Sequence, residues 1–211
     1  MVKVSPSLLA SDFSDLRGEI KAVSTADFLH LDVMDGHFVP NLTIGPCVIS
    51  SIRPHSNLPF DTHLMIDNPL KYIEPFAKAG SDYITVHVEQ PDDIRECISK
   101  IQSYGKKAGL AISPDTDASL LEPYLENISM ITVMSVYPGF GGQKFIESSY
   151  QKIREIKKMI EGKDILLSVD GGVDFENVRK LEEAGVTMVV AGSTVFGAEN
   201  RENAIEILRG E

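Results

Sequence analysis

The segment Phe28-Leu29-His30-Leu31-Asp32-Val33-Met34-Asp35-Gly36 alternates two kinds of residue. With the two-residue period of a strand, His30, Asp32 and Met34 point one way while Leu29, Leu31 and Val33 point the other. The same split recurs further on, where Asp61, His63 and Met65 share a face and Ser168 and Asp170 share another, leading into Gly171-Gly172. His30, Asp32, His63 and Asp170 together offer two imidazoles and two carboxylates at the ends of three strands. That set outlines a site for one divalent metal ion, and its mixed nitrogen and oxygen donors suit zinc, iron(II), manganese or cobalt without choosing among them.

Such a set needs a scaffold that brings distant strand ends together. The chain repeats a short β-branched run, a polar or Gly/Pro-containing turn and a longer stretch with helical periodicity, eight times over. Strands are expected at 2–6, 28–33, 60–65, 83–87, 108–112, 130–135, 165–170 and 188–191, with helices at 14–22, 69–79, 92–103, 148–160 and 174–184 among them. Ala79-Gly80 and Ala184-Gly185 place glycine where a helix C-terminus wants it. Alternation at this spacing predicts an α/β fold with a parallel sheet. The count of eight favours a single (β/α)8 TIM barrel over residues 1–211. Ser5-Pro6-Ser7-Leu8-Leu9-Ala10 also lacks the Gly-x-Gly-x-x-Gly turn of a doubly wound dinucleotide binder. In a barrel the leucine and valine face packs under the helices, and the imidazoles and carboxylates stand near the mouth.

Composition narrows the partners. A net charge of -11 argues against nucleic acid or an anionic membrane surface. No apolar run has the length of a membrane span, and the start of the sequence shows no export signal, so a cytoplasmic protein is expected. Cys47 and Cys97 stand too far apart for a zinc knuckle or redox pair and read as reduced, packed thiols. Any phosphate on a substrate must then be held by backbone amides or a metal. Gly139-Phe140-Gly141-Gly142, Gly171-Gly172 and Gly192-Ser193 follow three consecutive strands, at the phosphate corner of many barrels. Glycine lets main-chain N–H groups approach an anion closely.

Residues 30–41, reading His-Leu-Asp-Val-Met-Asp-Gly-His-Phe-Val-Pro-Asn, and Asp61-Thr62-His63-Leu64-Met65 resemble the signature segments of the ribulose-phosphate 3-epimerase family. Ser7-Leu8-Leu9-Ala10-Ser11-Asp12-Phe13, Val133-Met134-Ser135-Val136, Pro138-Gly139-Phe140-Gly141-Gly142-Gln143, Val169-Asp170-Gly171-Gly172 and Ala191-Gly192-Ser193 match in the same order, so the resemblance spans the chain. It implies a (β/α)8 barrel that inverts C3 of a ketose phosphate. A proton alpha to a carbonyl is weakly acidic, so the enediolate needs strong electrostatic stabilisation, which a divalent Lewis acid supplies. Inversion needs a base on one face of the intermediate and an acid on the other. By resemblance His30, Asp32, His63 and Asp170 hold the metal, and Asp32 and Asp170 double as the acid/base pair. His63 and Asp170 also lie against the substrate. Met34, Met65 and Met134 match methionines over the reacting carbons, with core packing the alternative use. Ser7 matches a substrate-contacting serine, and the resemblance further implies a homo-oligomer.

Two positions depart from the family pattern: Tyr137 stands where asparagine is common, and Ser113-Pro114-Asp115-Thr116 replaces an asparagine-containing turn. Neither touches the ligand set, but both bear on substrate preference. The expected reaction interconverts D-ribulose 5-phosphate and D-xylulose 5-phosphate, with D-allulose-6-phosphate 3-epimerase by the same mechanism as the alternative. A lysine-dependent aldolase would need a lysine at a strand's C-terminal end, whereas Lys106 and Lys107 lie at the start of strand five. A non-catalytic phosphate- or metal-binding barrel would be signalled by a substitution in the ligand set, and none is seen.

Overall fold

The structure, a computed structural model, describes residues 1–210. Eight strands are formed: β1 (Lys3–Pro6), β2 (Leu29–Met34), β3 (Phe60–Met65), β4 (Tyr83–His87), β5 (Lys107–Ile112), β6 (Met130–Met134), β7 (Leu166–Asp170) and β8 (Met188–Ala191). All are paired in parallel, in the order β1-β8-β7-β6-β5-β4-β3-β2. The two ends of that order meet, because the N–H groups of Asp27 and Phe28 donate to the Val4 carbonyl and Ser7 bridges to His30. The sheet is therefore a closed (β/α)8 barrel, as expected.

Around it run α1 (Leu16–Ala22), α2 (Pro46–Ile52), α3 (Pro69–Ala79), α4 (Ile94–Ser103), α5 (Ser149–Met159), α6 (Val178–Ala184), α7 (Ser193–Phe196) and α8 (Arg201–Arg209). Helix α4 shows why these segments are helical. Asp93 caps it by accepting from the Arg95 and Glu96 N–H groups, and Ile94, Cys97, Ile98 and Ile101 form one buried stripe at 3.6-residue spacing. Helices α3 and α6 end on Gly80 and Gly185, both left-handed with φ of 114° and 109°. After β5 a 3-10 run, Ala118–Tyr124, replaces an α-helix. Pro123 inside it has no amide to give to an α ladder.

Four of the expected helices start later than the periodicity suggests, α4 by two residues at Ile94 and α5 by one at Ser149. At 14–22 a 3-10 turn over Phe13–Asp15 precedes α1. At 174–184 the Asp174 side chain accepts from the N–H groups of Glu176 and Asn177, so a local turn takes those amides before α6 begins. Cys97 is buried, but Cys47 is exposed on α2 rather than packed. Burial pushes the Cys97 thiol up to about 12, which leaves it unreactive.

The alternation along the strands divides the interior. Leu29, Leu31, Val33, Leu64 and Val86 belong to the large apolar core between sheet and helices. Met34 and Met65 instead cluster with Val39 at the mouth. Among the described residues, no helix is long and apolar enough to cross a membrane.

Candidate metal centre and anion pocket

Strand register brings the four candidate ligands together. Between β2 and β3, His30 lies opposite Asp61, Asp32 opposite His63, and Met34 opposite Met65; between β6 and β7, Met134 lies opposite Asp170. His30 Nε2 is 3.3 Å from Asp32 Oδ1 and 3.6 Å from Asp170 Oδ2, while His63 Nδ1 is 3.5 Å and 3.4 Å from the same two oxygens. One donor atom from each of the four residues lies within 4.8 Å of all the others. A tetrahedron with metal–ligand bonds of about 2.1 Å has an edge of about 3.4 Å, close to all four separations.

The remaining polar atoms reinforce that fit. His30 Nε2 and His63 Nδ1, the two nitrogens facing the carboxylates, are buried without a hydrogen-bond partner. Their opposite nitrogens are engaged: His30 Nδ1 with Asp61 Oδ2 at 2.7 Å, and His63 Nε2 with His87 Nε2 at 2.9 Å. Ser7 Oγ donates to the other Asp32 oxygen at 2.6 Å. Ligating imidazoles are commonly held in this way through the nitrogen that does not bind the metal.

Electrostatics follows the same geometry. Burial drives the Asp32 carboxyl up, but His30 and His63 outweigh it and hold it far below the usual carboxylate range. Asp170 is likewise lowered by both imidazoles against its burial. Burial pulls His30 down, yet Asp32, Asp61 and Asp170 raise it well above the ordinary histidine value; His63 is raised by Asp170 and Asp32 against the same burial. The two carboxylates favour the protonated form of both imidazoles, and a ligand imidazole must lose its proton to bind a metal ion. Metal binding should therefore release protons, and affinity should rise with pH. Calorimetry in two buffers of different ionisation enthalpy measures the release; an identical heat in both would contradict the assignment.

Above the two imidazoles opens a cavity of about 730 Å³. Asp32 and Asp170 line it, as do Ser7, Met34, Met65 and Met134, while His30 and His63 lie beneath its floor. Its far side is formed by the loops holding Gly139, Phe140, Gly141 and Gly142 after β6, Gly171 and Gly172 after β7, and Gly192 and Ser193 after β8, with Lys144 also on the wall. Gly172 has φ of +63°, and a Cβ there would fall 2.5 Å from the Phe145 nitrogen, so the loops after β6 and β7 touch through a position that only glycine fits. Side chains pin these loops. Asn41 donates to the Gly139 carbonyl at 2.8 Å, Gln143 to those of Tyr137 and Phe140, and Asn177 to that of Gly172. The two departures from the family pattern meet here, since the Tyr137 hydroxyl donates to Asp115 Oδ2 at 2.9 Å.

All the residues expected from sequence thus gather at one barrel mouth. The structure adds Asp61, His87, Glu89, Asn41 and Gln143 to the residues around the site. His87 was within reach of the same reasoning, since it ends β4 in phase with Thr85 on the inward face and lies fully buried.

Fold and site together define a barrel enzyme whose mouth carries a two-histidine, two-carboxylate cluster that could hold a metal ion, beside a cavity lined by glycine loops. The ribulose-phosphate 3 epimerase family model matches residues 3–196, and the chain belongs to that family. It is 46% identical to the ribulose-phosphate 3-epimerase of Bacillus subtilis, covering 100% of this chain and 99% of the relative, and 47% identical to that of Synechocystis sp., covering 99% and 93%. A crystal structure of KGPDC from Streptococcus mutans superposes with a TM-score of 0.75 at 15% identity, over 99% of this chain and 96% of that one, a likeness of fold alone.

Proposed function

We propose that the chain interconverts D-ribulose 5-phosphate and D-xylulose 5-phosphate by two-base proton transfer at C3, with one divalent ion held by His30, Asp32, His63 and Asp170. The observation that carries this reading is the convergence of four donor atoms, two of them orphaned buried nitrogens, at the floor of a cavity walled by glycine loops. When bound, a zinc, iron(II), manganese or cobalt ion supplies a Lewis acid for charge developing on the substrate oxygens. The chain does the rest. Asp32 on β2 and Asp170 on β7 stand on separate strands, so one carboxylate takes the C3 proton and the other returns a proton to the opposite face. The imidazoles beside them favour the ionised form of each, the form that acts as base; the other carboxyl enters the step protonated and gives that proton to C3, so the two exchange roles with each turnover. Met34, Met65 and Met134 give the reacting carbons an apolar surround that limits water. The glycine loops supply N–H donors for the phosphate.

Family membership also supports a cytoplasmic, self-associating protein, which light scattering of the purified chain tests. For the reaction, metal-loaded protein is incubated in deuterated water with each ketose phosphate and deuterium at C3 is followed by NMR. Exchange with ribulose 5-phosphate far exceeding that with allulose 6-phosphate supports the pentulose reading; the reverse order selects the hexulose one, and exchange with neither rejects epimerase chemistry.

A further inference from the structure

His87 is a buried imidazole that the proposed reaction does not use. It sits at the end of β4 with its ring edge to edge with that of His63, centroids 5.0 Å apart and planes 22° from parallel, and 4.8 Å from the tilted ring of Phe38. We infer that His87 and Glu89 are positioning residues that set the tautomer of His63 and so decide which of its nitrogens is free to hold a metal ion. The inference rests on the metal-site reading above.

The argument is a count of protons. His63 Nε2 and His87 Nε2 are 2.9 Å apart, a distance that requires one proton between them. Glu89 Oε2 lies 3.0 Å from His87 Nδ1, and its other oxygen accepts from the Ser113 N–H at 2.7 Å. An ionised carboxylate only accepts, so the His87 proton is on Nδ1. With one proton on each ring, His87 presents a lone pair at Nε2 and the shared proton belongs to His63 Nε2. That leaves the His63 lone pair on Nδ1, the atom that faces Asp32 and Asp170. Were the order reversed, His63 would carry its proton on Nδ1 and could not serve as a ligand.

Nearby contacts keep Glu89 in place. Lys152 Nζ donates to the carbonyls of Ser113, Pro114 and Thr116 at 2.8, 2.6 and 2.6 Å, fixing the turn whose amide binds Glu89. The two ligand imidazoles are thus oriented by different means. A carboxylate grips His30 directly through Asp61, while a carboxylate reaches His63 only through a second imidazole.

Zinc affinity measured by chelator competition tests the relay. His87→Leu, which has no acceptor, should lose about 10- to 100-fold in affinity. His87→Gln, whose amide oxygen can accept from His63 Nε2–H, should stay within about threefold of the parent on the same scale. Glu89→Gln cannot accept from both His87 and Ser113 and should lose roughly tenfold. Independently of any variant, ¹H–¹⁵N correlation spectra of the zinc-loaded parent should show protons on His63 Nε2 and His87 Nδ1. A folded His87→Leu protein that binds zinc as tightly as the parent, or a proton on His63 Nδ1, overturns the relay. Failure of the parent itself to bind zinc, cobalt, manganese or iron(II) would overturn the metal-site reading and the relay with it.

Discussion

Asp170→Asn is expected to reduce epimerisation by roughly four orders of magnitude, the upper range for loss of a general acid/base group, and Asp32→Asn by a similar factor. An amide cannot accept a proton from carbon at neutral pH, and it is a poorer ligand than a carboxylate. The two variants should nevertheless differ in a diagnostic way. In the proposed reaction each carboxylate faces one side of the planar intermediate, so with saturating metal each variant should retain one working base. Asp170→Asn should still exchange the C3 proton of one epimer with deuterated water without inverting it, and Asp32→Asn should do so for the other epimer. Both proteins should fold, since the carboxylates are 7% and 14% exposed at an open mouth and belong to no apolar core. Turnover near that of the parent in either variant would remove that residue from the chemistry. Exchange of both epimers by a single variant would show that one group serves both faces.

That pair was legible because strand alternation is strict. Once Leu29, Leu31 and Val33 are assigned to the helix layer, His30, Asp32 and Met34 have only the barrel interior left, and the observed register bears this out. The barrel itself followed from eight repeats of strand and helix. What alternation does not carry is contact between side chains on different strands. Asp61 was seen to share the face of His63, yet its contact with His30 depends on the β2–β3 register, which places those two residues side by side. Alternation puts His87 on the inward face, but its pairing with His63, and with it the part played by Glu89, shows only in the fold, where the two imidazoles lie 2.9 Å apart. Among the helices, α2 escaped notice because its seven residues between Gly45 and Arg53 bury only Ile49 and Ile52, too little to show a stripe. The stripe of α8, Ala204, Ile205 and Leu208, is by contrast legible in the periodicity. Tyr137 and Asp115 entered as separate departures, and only the fold shows that they are partners.

Gly172→Ala is expected to raise KM for the phosphorylated substrate about 100-fold, the effect of shifting a positioning group by about 1 Å. Two costs fall on the substitution. An L-residue at φ of +63° is strained by about 1 kcal/mol, and the new methyl would lie 2.5 Å from the Phe145 nitrogen, 2.9 Å from its Cα and 3.0 Å from the Gln143 carbonyl oxygen. Those atoms are backbone, so no side-chain rotation relieves the contact, and the loops after β6 and β7 must move apart. These loops provide the proposed amide donors for the phosphate, whereas the carboxylates and imidazoles stand on strands that the movement does not reach. The loss should therefore fall on KM more than on kcat, and the inhibition constant for inorganic phosphate should rise by a comparable factor. Gly105→Ala is the control. Gly105 has φ of +69° but nothing within 4 Å of an added Cβ, so it should cost about 1 kcal/mol of stability and leave KM unchanged. If Gly172→Ala matched Gly105→Ala in both stability and KM, the glycine loops would be turns and the phosphate would be held elsewhere.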